Sequence, residues 1–596
     1  MRRLLLACLA LAAWLATGPL AAQPVRGFIV QLRDSGAQAP QRARDQLEAV
    51  ARAEGLGLRG QAALGRRHHL LRLAQPLRGA ALDSALRRLR LRPEVASVEP
   101  DVVLRRMALP NDPGFSQQWE LQSPFSFPSA LNMPPAWDRT TGHPGVTVAV
   151  LDSGILKNHP DIAGRFWPGY DFVSDVDAAN DGDGRDADSS DPGDWVSGPE
   201  SQTPAFQGCQ VEDSSWHGTF IAGQIAATTN NLQGVAGINW NSRILPVRVA
   251  GKCGALLSDL VAGLLWSAGL PVEGVPANPN PARVVNISFG GDAPCASGNV
   301  YQEAIDSVTA AGTLVVVASG NGFGQQVTRP ADCRGVLAVG AVRQDGLKTS
   351  YSSIGPSLGL MAPGGPLFSL TNAGLRGPGA DSYGFKEGSS FSSPQAAGVA
   401  SLMLSLNPAL GPAQLIARMR AAARPHAFNP SFATCSNASS VNTACNCTVA
   451  TCGAGLLDAN RATQLALDPV AAIAPVPSPP AGTTIALDGS ASAAASGSRI
   501  ATWQWSQLSG PVLVLAGASQ PVASVALPAQ SATFAFLLTV VDEAGRTDQA
   551  TLTVVSVAAS GNPPAAGGGG GATDWLWGAG LWLVALCASW RRRKPA

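Results

Sequence analysis

Val148-Ala149-Val150-Leu151-Asp152-Ser153-Gly154 is an uninterrupted apolar run that stops at a carboxylate and a glycine. An apolar run without alternation suits a strand covered on both faces, which is the signature of a parallel sheet between layers of helix. Such a sheet presents its functional groups at the carboxyl ends of its strands. Comparable runs recur at 284–289, 314–317 and 336–342, each ending in a glycine-rich turn and followed by a helical stretch. The fold class read from this block, residues 109–470, is α/β: a parallel sheet with helices on both faces.

Two further segments stand out. His217-Gly218-Thr219-Phe220-Ile221-Ala222-Gly223 places a histidine at the start of a helical pattern. Gly388-Ser389-Ser390-Phe391-Ser392-Ser393-Pro394 is a serine-rich turn leading into a helix over 396–406. Taken singly, each key residue has a plain structural explanation: Asp152 as a turn former, His217 as a polar helix opener, Ser390 as a helix cap. Together they form a reacting set. A serine hydroxyl needs a base to take its proton, and the base needs a third group to hold its tautomer. The helix after Ser390 adds partial positive charge where an oxyanion would develop.

The order Asp–His–Ser in Leu-Asp-Ser-Gly-Ile, His-Gly-Thr and Gly-Ser-Ser-Phe-Ser-Ser-Pro resembles the subtilisin-like serine proteases over roughly 109–465. The resemblance implies a subtilisin-like sheet, a serine endopeptidase acting through an acyl-enzyme, Asp152 orienting His217, His217 as general base and acid, and Ser390 as nucleophile. It implies Asn321, in Val317-Ala318-Ser319-Gly320-Asn321-Gly322, as an oxyanion-hole donor; the residue also suits a left-handed turn. It further implies that Ser288-Phe289-Gly290-Gly291 and Ala318-Ser319-Gly320 form the walls of the substrate cleft. Two departures from the family pattern are Phe220, where a second histidine is frequent, and Ser389, in place of a threonine. Neither removes a reacting group. The rival reading on the same fold is a catalytically silent surface adhesin.

The chain has 596 residues, 45% hydrophobic and 14% charged, with a formal net charge of +1. That is enough for several domains and too apolar for wholesale disorder. The composition lacks the concentrated basic surface of a nucleic-acid binder, so no nucleic-acid partner is expected. The charge is unevenly spread: residues 24–106 carry 16 arginines against 8 acidic residues, whereas 107–590 carry 20 basic against 33 acidic. A basic segment preceding an acidic body suggests two parts that attract each other. Residues 24–106 read as strand, helix, strand, helix, strand: 28–32, 43–53, 69–73, 82–91 and 95–103. They resemble the inhibitory propeptides of these proteases, which implies a zymogen processed near Met107–Leu109. A free-standing module with another partner is the alternative.

Met1-Arg2-Arg3 followed by apolar Leu4–Leu15 and small residues to Ala22 describes a secretory signal peptide. At the other end, a glycine run (567–571) precedes the tryptophan-bracketed apolar stretch 575–590 and Arg591-Arg592-Arg593-Lys594. Sixteen residues is short for a permanent span. The pattern resembles glycine-glycine sorting tails, which implies removal by a membrane sorting protease near 567–574. The expected organisation is signal peptide 1–22, inhibitory propeptide 23–107, catalytic domain 108–468, β-sandwich 469–557, Gly-rich linker 558–572 and transmembrane sorting tail 573–596. A monomer that acts on protein and peptide substrates, secreted or at the cell surface from a membrane-tethered precursor, is expected. The sandwich segments Leu487-Asp488-Gly489-Ser490, Trp503–Pro511 and Leu538–Asp542 resemble polycystic-kidney-disease-type repeats, with Trp505 as core and Trp503, if exposed, as a binding residue.

Eight cysteines remain outside the two ends, an even number that suggests disulfides in an exported chain. Cys209–Cys253 and Cys295–Cys333 are expected, because each pair brackets core elements of one domain. Cys435, Cys445, Cys447 and Cys452 pair among themselves in one of three ways; zinc ligation there is the weaker rival, since the spacing lacks paired C-x-x-C knuckles. Finally, residues 175–194 hold eight aspartates in twenty positions. Close hard ligands suggest structural calcium on Asp181, Asp183, Asp186 and Asp188. A solvated acidic loop is the alternative, and the spacing is not that of an EF-hand.

Overall fold

A computed structural model describes residues 25–558, apart from 34–39, 65–67, 78, 103–108, 292, 297 and 437–442. The expected signal peptide 1–22, residues 107 and 108 of the expected processing site near Met107–Leu109, the expected linker from 559 onward and the expected sorting tail 573–596 therefore lie outside the described residues. Among the described residues no helix is long and apolar enough to cross a membrane.

The central feature is a seven-stranded sheet in the order Leu360–Pro363, Val336–Val342, Leu314–Ala318, Val284–Ile287, Thr147–Asp152, Arg243–Arg248, Tyr170–Asp171. All of its pairings are parallel. The four strands read from the sequence all lie in it. The other three carry no clear sequence signal. Arg243–Arg248 is interrupted by Pro246 and ends in charges, so its apolar signal is weak, although residues 244–248 are all buried. Tyr170–Asp171 and Leu360–Pro363 are too short to show a period.

Both faces of the sheet are covered, which is why the strands need no alternation. One apolar cluster packs Val148, Val150, Val284, Val316 and Val339 against the helices His217–Ala226 and Ser393–Leu406. The other packs Ala149, Leu151, Val285, Val315 and Val317 against Leu257–Ser267 and Val300–Ala310. Odd and even positions of one strand thus face opposite helical layers.

The N-terminal unit is a four-stranded antiparallel sheet in the order Leu58–Leu64, His68–Leu77, Val25–Leu32, Val95–Pro100. Its helices Pro40–Ala53 and Gly79–Arg90 match the sequence expectation, but the strand Leu58–Leu64 does not appear in it. Arg59, Gly60 and Gln61 break the apolar run, and this edge strand is formed by pairing with its neighbour. At the other end, two three-stranded antiparallel sheets enclose a core of Leu487, Trp505, Phe534, Phe536 and Leu538. Trp505 is buried as expected. Trp503 is only half-buried and its indole N–H donates to the Gly489 carbonyl, which leaves no free polar edge for a ligand.

Four disulfides are present among the described residues. Cys209–Cys253 and Cys295–Cys333 pair as expected, and the open set resolves to Cys435–Cys445 and Cys447–Cys452. With every one of these thiols oxidised, the zinc reading lapses.

Candidate active site

Asp152 ends the central strand Thr147–Asp152 and is fully buried. His217 opens the helix His217–Ala226, with Trp216 before it in a left-handed conformation, φ 48°. Gly218 lets that helix abut the strand end: a Cβ there would lie 2.2 Å from the Gly154 carbonyl oxygen and 3.0 Å from the Asp152 Cβ. The His-Gly pair is thus a steric requirement of bringing ring and carboxylate together.

His217 Nδ1 donates to Asp152 Oδ1 across 2.8 Å. The same oxygen accepts the Ser153 N–H at 2.9 Å. Burial disfavours a charged His217 ring, but the Asp152 carboxylate and its hydrogen bond outweigh burial, and the histidine pKa is raised above the ordinary imidazole value. Lys386 opposes that rise and Asp194 adds to it. The rings of Phe391 and Phe289 flank the imidazole, with centroids 5.2 Å and 5.8 Å away.

Ser390 sits in a single turn of 3₁₀-helix, Ser389–Phe391, ahead of the helix Ser393–Leu406. That helix begins three residues earlier than the sequence pattern suggests. Ser390 Oγ donates to the Ser288 carbonyl at 3.3 Å, and no hydrogen bond joins it to His217 among the described residues. In substrate-free enzymes the nucleophile–base contact is often loose and tightens when substrate binds.

Asn321 Oδ1 accepts both the N–H and the hydroxyl of Ser389, at 3.0 Å and 2.9 Å. A backbone N–H can bond only to the amide oxygen, so the Asn321 NH₂ is left free to face the cleft as a donor. Ser389, the departure from the family's threonine, supplies this orientation and also accepts the Gly320 N–H. Ser288, Phe289, Gly290, Gly291, Ala318, Ser319, Gly320, Asn321 and Ser390 line one cavity of about 330 Å³. The sequence-predicted walls, oxyanion donor and nucleophile therefore converge on one cleft. Gly322, Ser389, Thr328 and Ser353 complete the lining; the last two lie far from any motif, and nothing in the sequence marks them. Phe220, in place of a second histidine, is buried against Phe391 with ring centroids 4.7 Å apart.

The expected calcium ligands are not brought together. Asp181 pairs with the buried Arg248, which also holds Asp171, and Asp188 pairs with Lys157 at 2.7 Å. Among the described residues, Asp181, Asp183, Asp186 and Asp188 form no cluster of converging carboxylates. Two of the four expected ligands, Asp181 and Asp188, are thus taken up by the chain's own cations. Another pair of carboxylates is buried without a cation. Asp112 and Asp161 are buried and lie beside the loop 228–235, with no ion pair to either among the described residues. Asp112 accepts the N–H groups of Asn230 and Asn231, and Asp161 accepts from Asn231 and the Val235 N–H. Burial, reinforced by the charge of Asp112, pushes Asp161 up to about 6. Two buried acids without a cation make a repulsion that a hard cation would relieve.

The model of the subtilase family matches residues 143–453, and that of a PKD domain matches 478–555. The chain is 38% identical over 461 residues to an extracellular protease of Xanthomonas campestris pv. campestris, covering 76% of this chain and 74% of the relative. It is 41% identical over 321 residues to an extracellular basic protease of Dichelobacter nodosus, covering 54% of this chain and 52% of the relative. A solved protease structure from Pseudoalteromonas arctica PAMC 21717 superposes with a TM-score of 0.54 at 39% identity, over 60% of this chain and 100% of that one. With a two-sided parallel sheet, a buried carboxylate–histidine pair at its carboxyl edge and these matches, the chain belongs to the subtilase family of serine endopeptidases.

Proposed function

We propose that Asp152, His217 and Ser390 are the catalytic triad of this endopeptidase and that Asn321 is its oxyanion donor. The observation that carries the reading is the 2.8 Å bond from His217 Nδ1 to the buried Asp152, beside the cavity shared by Ser390 and Asn321. Ser390 Oγ attacks the carbonyl carbon of the scissile peptide while its proton passes to His217 Nε2. The Ser390 N–H and the Asn321 amide take the developing oxyanion. The tetrahedral intermediate collapses as His217 gives its proton to the leaving amine, leaving an acyl-enzyme. Water, deprotonated by the same ring, releases the acid. Asp152 holds the ring's tautomer throughout. The glycine-edged walls 288–291 and 318–320 receive the substrate backbone on the acyl side.

The relatives named extracellular and the apolar start of the chain support export through a signal peptide at 1–22. The compact unit of residues 25–102, basic where the catalytic body is acidic, supports an inhibitory propeptide (23–107) cut near 107–109. Residues 573–596 act as a sorting tail, removed near 567–574. Intact-mass measurement on the culture-supernatant protein checks this last point; a chain still ending at Ala596 and found only in membranes refutes it. A structural calcium would be held by Asp112, Asp161 and the loop 228–235. There it would supply charge compensation and take no part in peptide-bond cleavage.

The central test is casein hydrolysis with a serine-directed fluorophosphonate. Wild type is expected to be active and labelled; Ser390→Ala is expected to lose several decades of rate. Asn321→Ala is expected to cost ~10²–10³ in kcat with little change in KM. Wild-type protein that is neither active nor labelled would make the adhesin reading the correct one.

A further inference from the structure

The acidic segment 175–194 is attached to both halves of the catalytic pair. Asp191 is buried, and its Oδ2 accepts the hydroxyl of Ser153 at 2.8 Å. That hydroxyl oxygen accepts the Gly218 N–H at 3.2 Å, next to His217, while the Ser153 backbone N–H holds Asp152. Three residues on, Asp194 accepts the N–H and the hydroxyl of Ser215 at 2.6 Å and 2.5 Å. Ser215 immediately precedes Trp216, whose left-handed conformation turns the chain into the helix that begins at His217.

The backbone is stitched in the same way. Ile155 N–H donates to the Ser189 carbonyl at 3.2 Å, and Val196 exchanges two hydrogen bonds with Glu212 at 2.9 Å and 3.0 Å. Gly154, at φ 101°, has no room for a side chain: a Cβ would lie 2.7 Å from the Ser190 carbonyl oxygen. The segment 189–196 is therefore wedged against the loop leaving Asp152 at one end and the approach to His217 at the other.

We propose that Asp191 and Asp194 are positioning residues of this protease, a brace that fixes the Asp152–His217 pair from behind, Asp191 through its hydrogen bond from Ser153 and Asp194 through Ser215. The inference rests on the triad assignment above. Catalysis by an oriented pair loses rate steeply with small displacements, so a brace at both ends of the pair has a direct consequence for kcat. The charged groups facing His217 are Asp152 from the central strand, Lys386 from the hairpin strand Asp381–Lys386, and Asp194. Asp194 is thus the second carboxylate favouring the imidazolium, against Lys386.

Asp194→Asn separates the two contributions. The amide is isosteric: its oxygen can accept the Ser215 N–H and its NH₂ can donate to the Ser215 hydroxyl, so geometry is kept and charge is lost. On the purified full-length chain with a peptide p-nitroanilide, the acid limb of kcat/KM is expected to move to lower pH by about half a unit. The melting temperature should stay unchanged. Asp194→Ala and Ser153→Ala, which also remove hydrogen bonds, are each expected to lower kcat about tenfold at unchanged KM. If all three variants alter only thermal stability, with the acid limb and kcat as in wild type, the brace is wrong although the triad stands. Retained turnover by His217→Ala would instead overturn the triad reading itself.

Discussion

The acidic segment 175–194 and the cradle formed by Asp112, Asp161 and the loop 228–235 place their carboxylates differently: the first leaves nearly all of them at least partly exposed and pairs some with cations, the second buries two without any. Of the segment's eight aspartates only Asp191 is buried, and it is held by hydrogen bonds from Ser153 and Gly193; the exposed Asp181 and Asp188 take their cations from the chain, Arg248, which also holds the neighbouring Asp171, and Lys157. The second has only two buried acids and no cation for either among the described residues. A metal site is therefore not located by counting acidic residues. What matters is which carboxylates the fold buries without compensation, because an uncompensated buried charge is the expensive state.

The sharpest way to break this contrast is to remove the internal cation. Arg248→Met leaves Asp171, itself fully buried, without its cation and with only the Val173 N–H as partner, and is expected to cost about 3–5 kcal/mol, a fall of ~10 °C in melting temperature. If calcium restored the lost stability, the two regions would be alike after all.

Glu120 sharpens the comparison with a third solution. It is buried, one carboxyl oxygen has no hydrogen-bond partner, and burial pushes its pKa up to about 8. This acid avoids an unpaired charge by keeping its proton. Because the folded state holds that proton more tightly than the unfolded chain, stability is lost as pH rises from about 4.5 to 8 and changes no further above that. Glu120→Gln is expected to match wild type at pH 5 and to melt higher at pH 9, by up to about 4 kcal/mol in stability. Parallel melting curves at both pH values would contradict it.

Calcium addition tests the cradle directly. At about 100-fold excess over Kd it is expected to stabilise the protein by ~2.7 kcal/mol, or ~5 °C or more in melting temperature, and Asp161→Asn is expected to abolish that gain. Asp181→Asn should leave it intact. The smallest effect is at Lys157–Asp188. That pair is largely exposed on the aspartate side, and although the lysine's hydrogen bond holds Asp188 down to about 2, solvent screens the interaction. Lys157→Ala is expected to change stability by less than ~1 kcal/mol, measured by denaturant titration.

The parts legible in the sequence share one property: their chemistry is encoded locally. The run 148–154, the His217-Gly218 pair and the turn 388–394 each specify an element end, and an element end in a parallel sheet is where a reacting group belongs. Cys209–Cys253 and Cys295–Cys333 are readable because each brackets core elements. Leu58–Leu64 is not, because its pattern becomes a strand only beside His68–Leu77. The aspartates of 175–194 mislead for a related reason: composition shows how many ligands exist, whereas Arg248, more than fifty residues away from Asp181 in the chain, decides whether they are free.

By itself, then, the sequence determined the layered α/β architecture and the order Asp152, His217, Ser390 along the chain, since apolar runs and glycine positions restrict the backbone wherever they occur. Only the tertiary structure decided which buried acids are paired, which are protonated and which are tied by hydrogen bonds to the Asp152–His217 pair. Charge compensation depends on distances of about 3 Å between residues remote in sequence, and folding alone sets those distances.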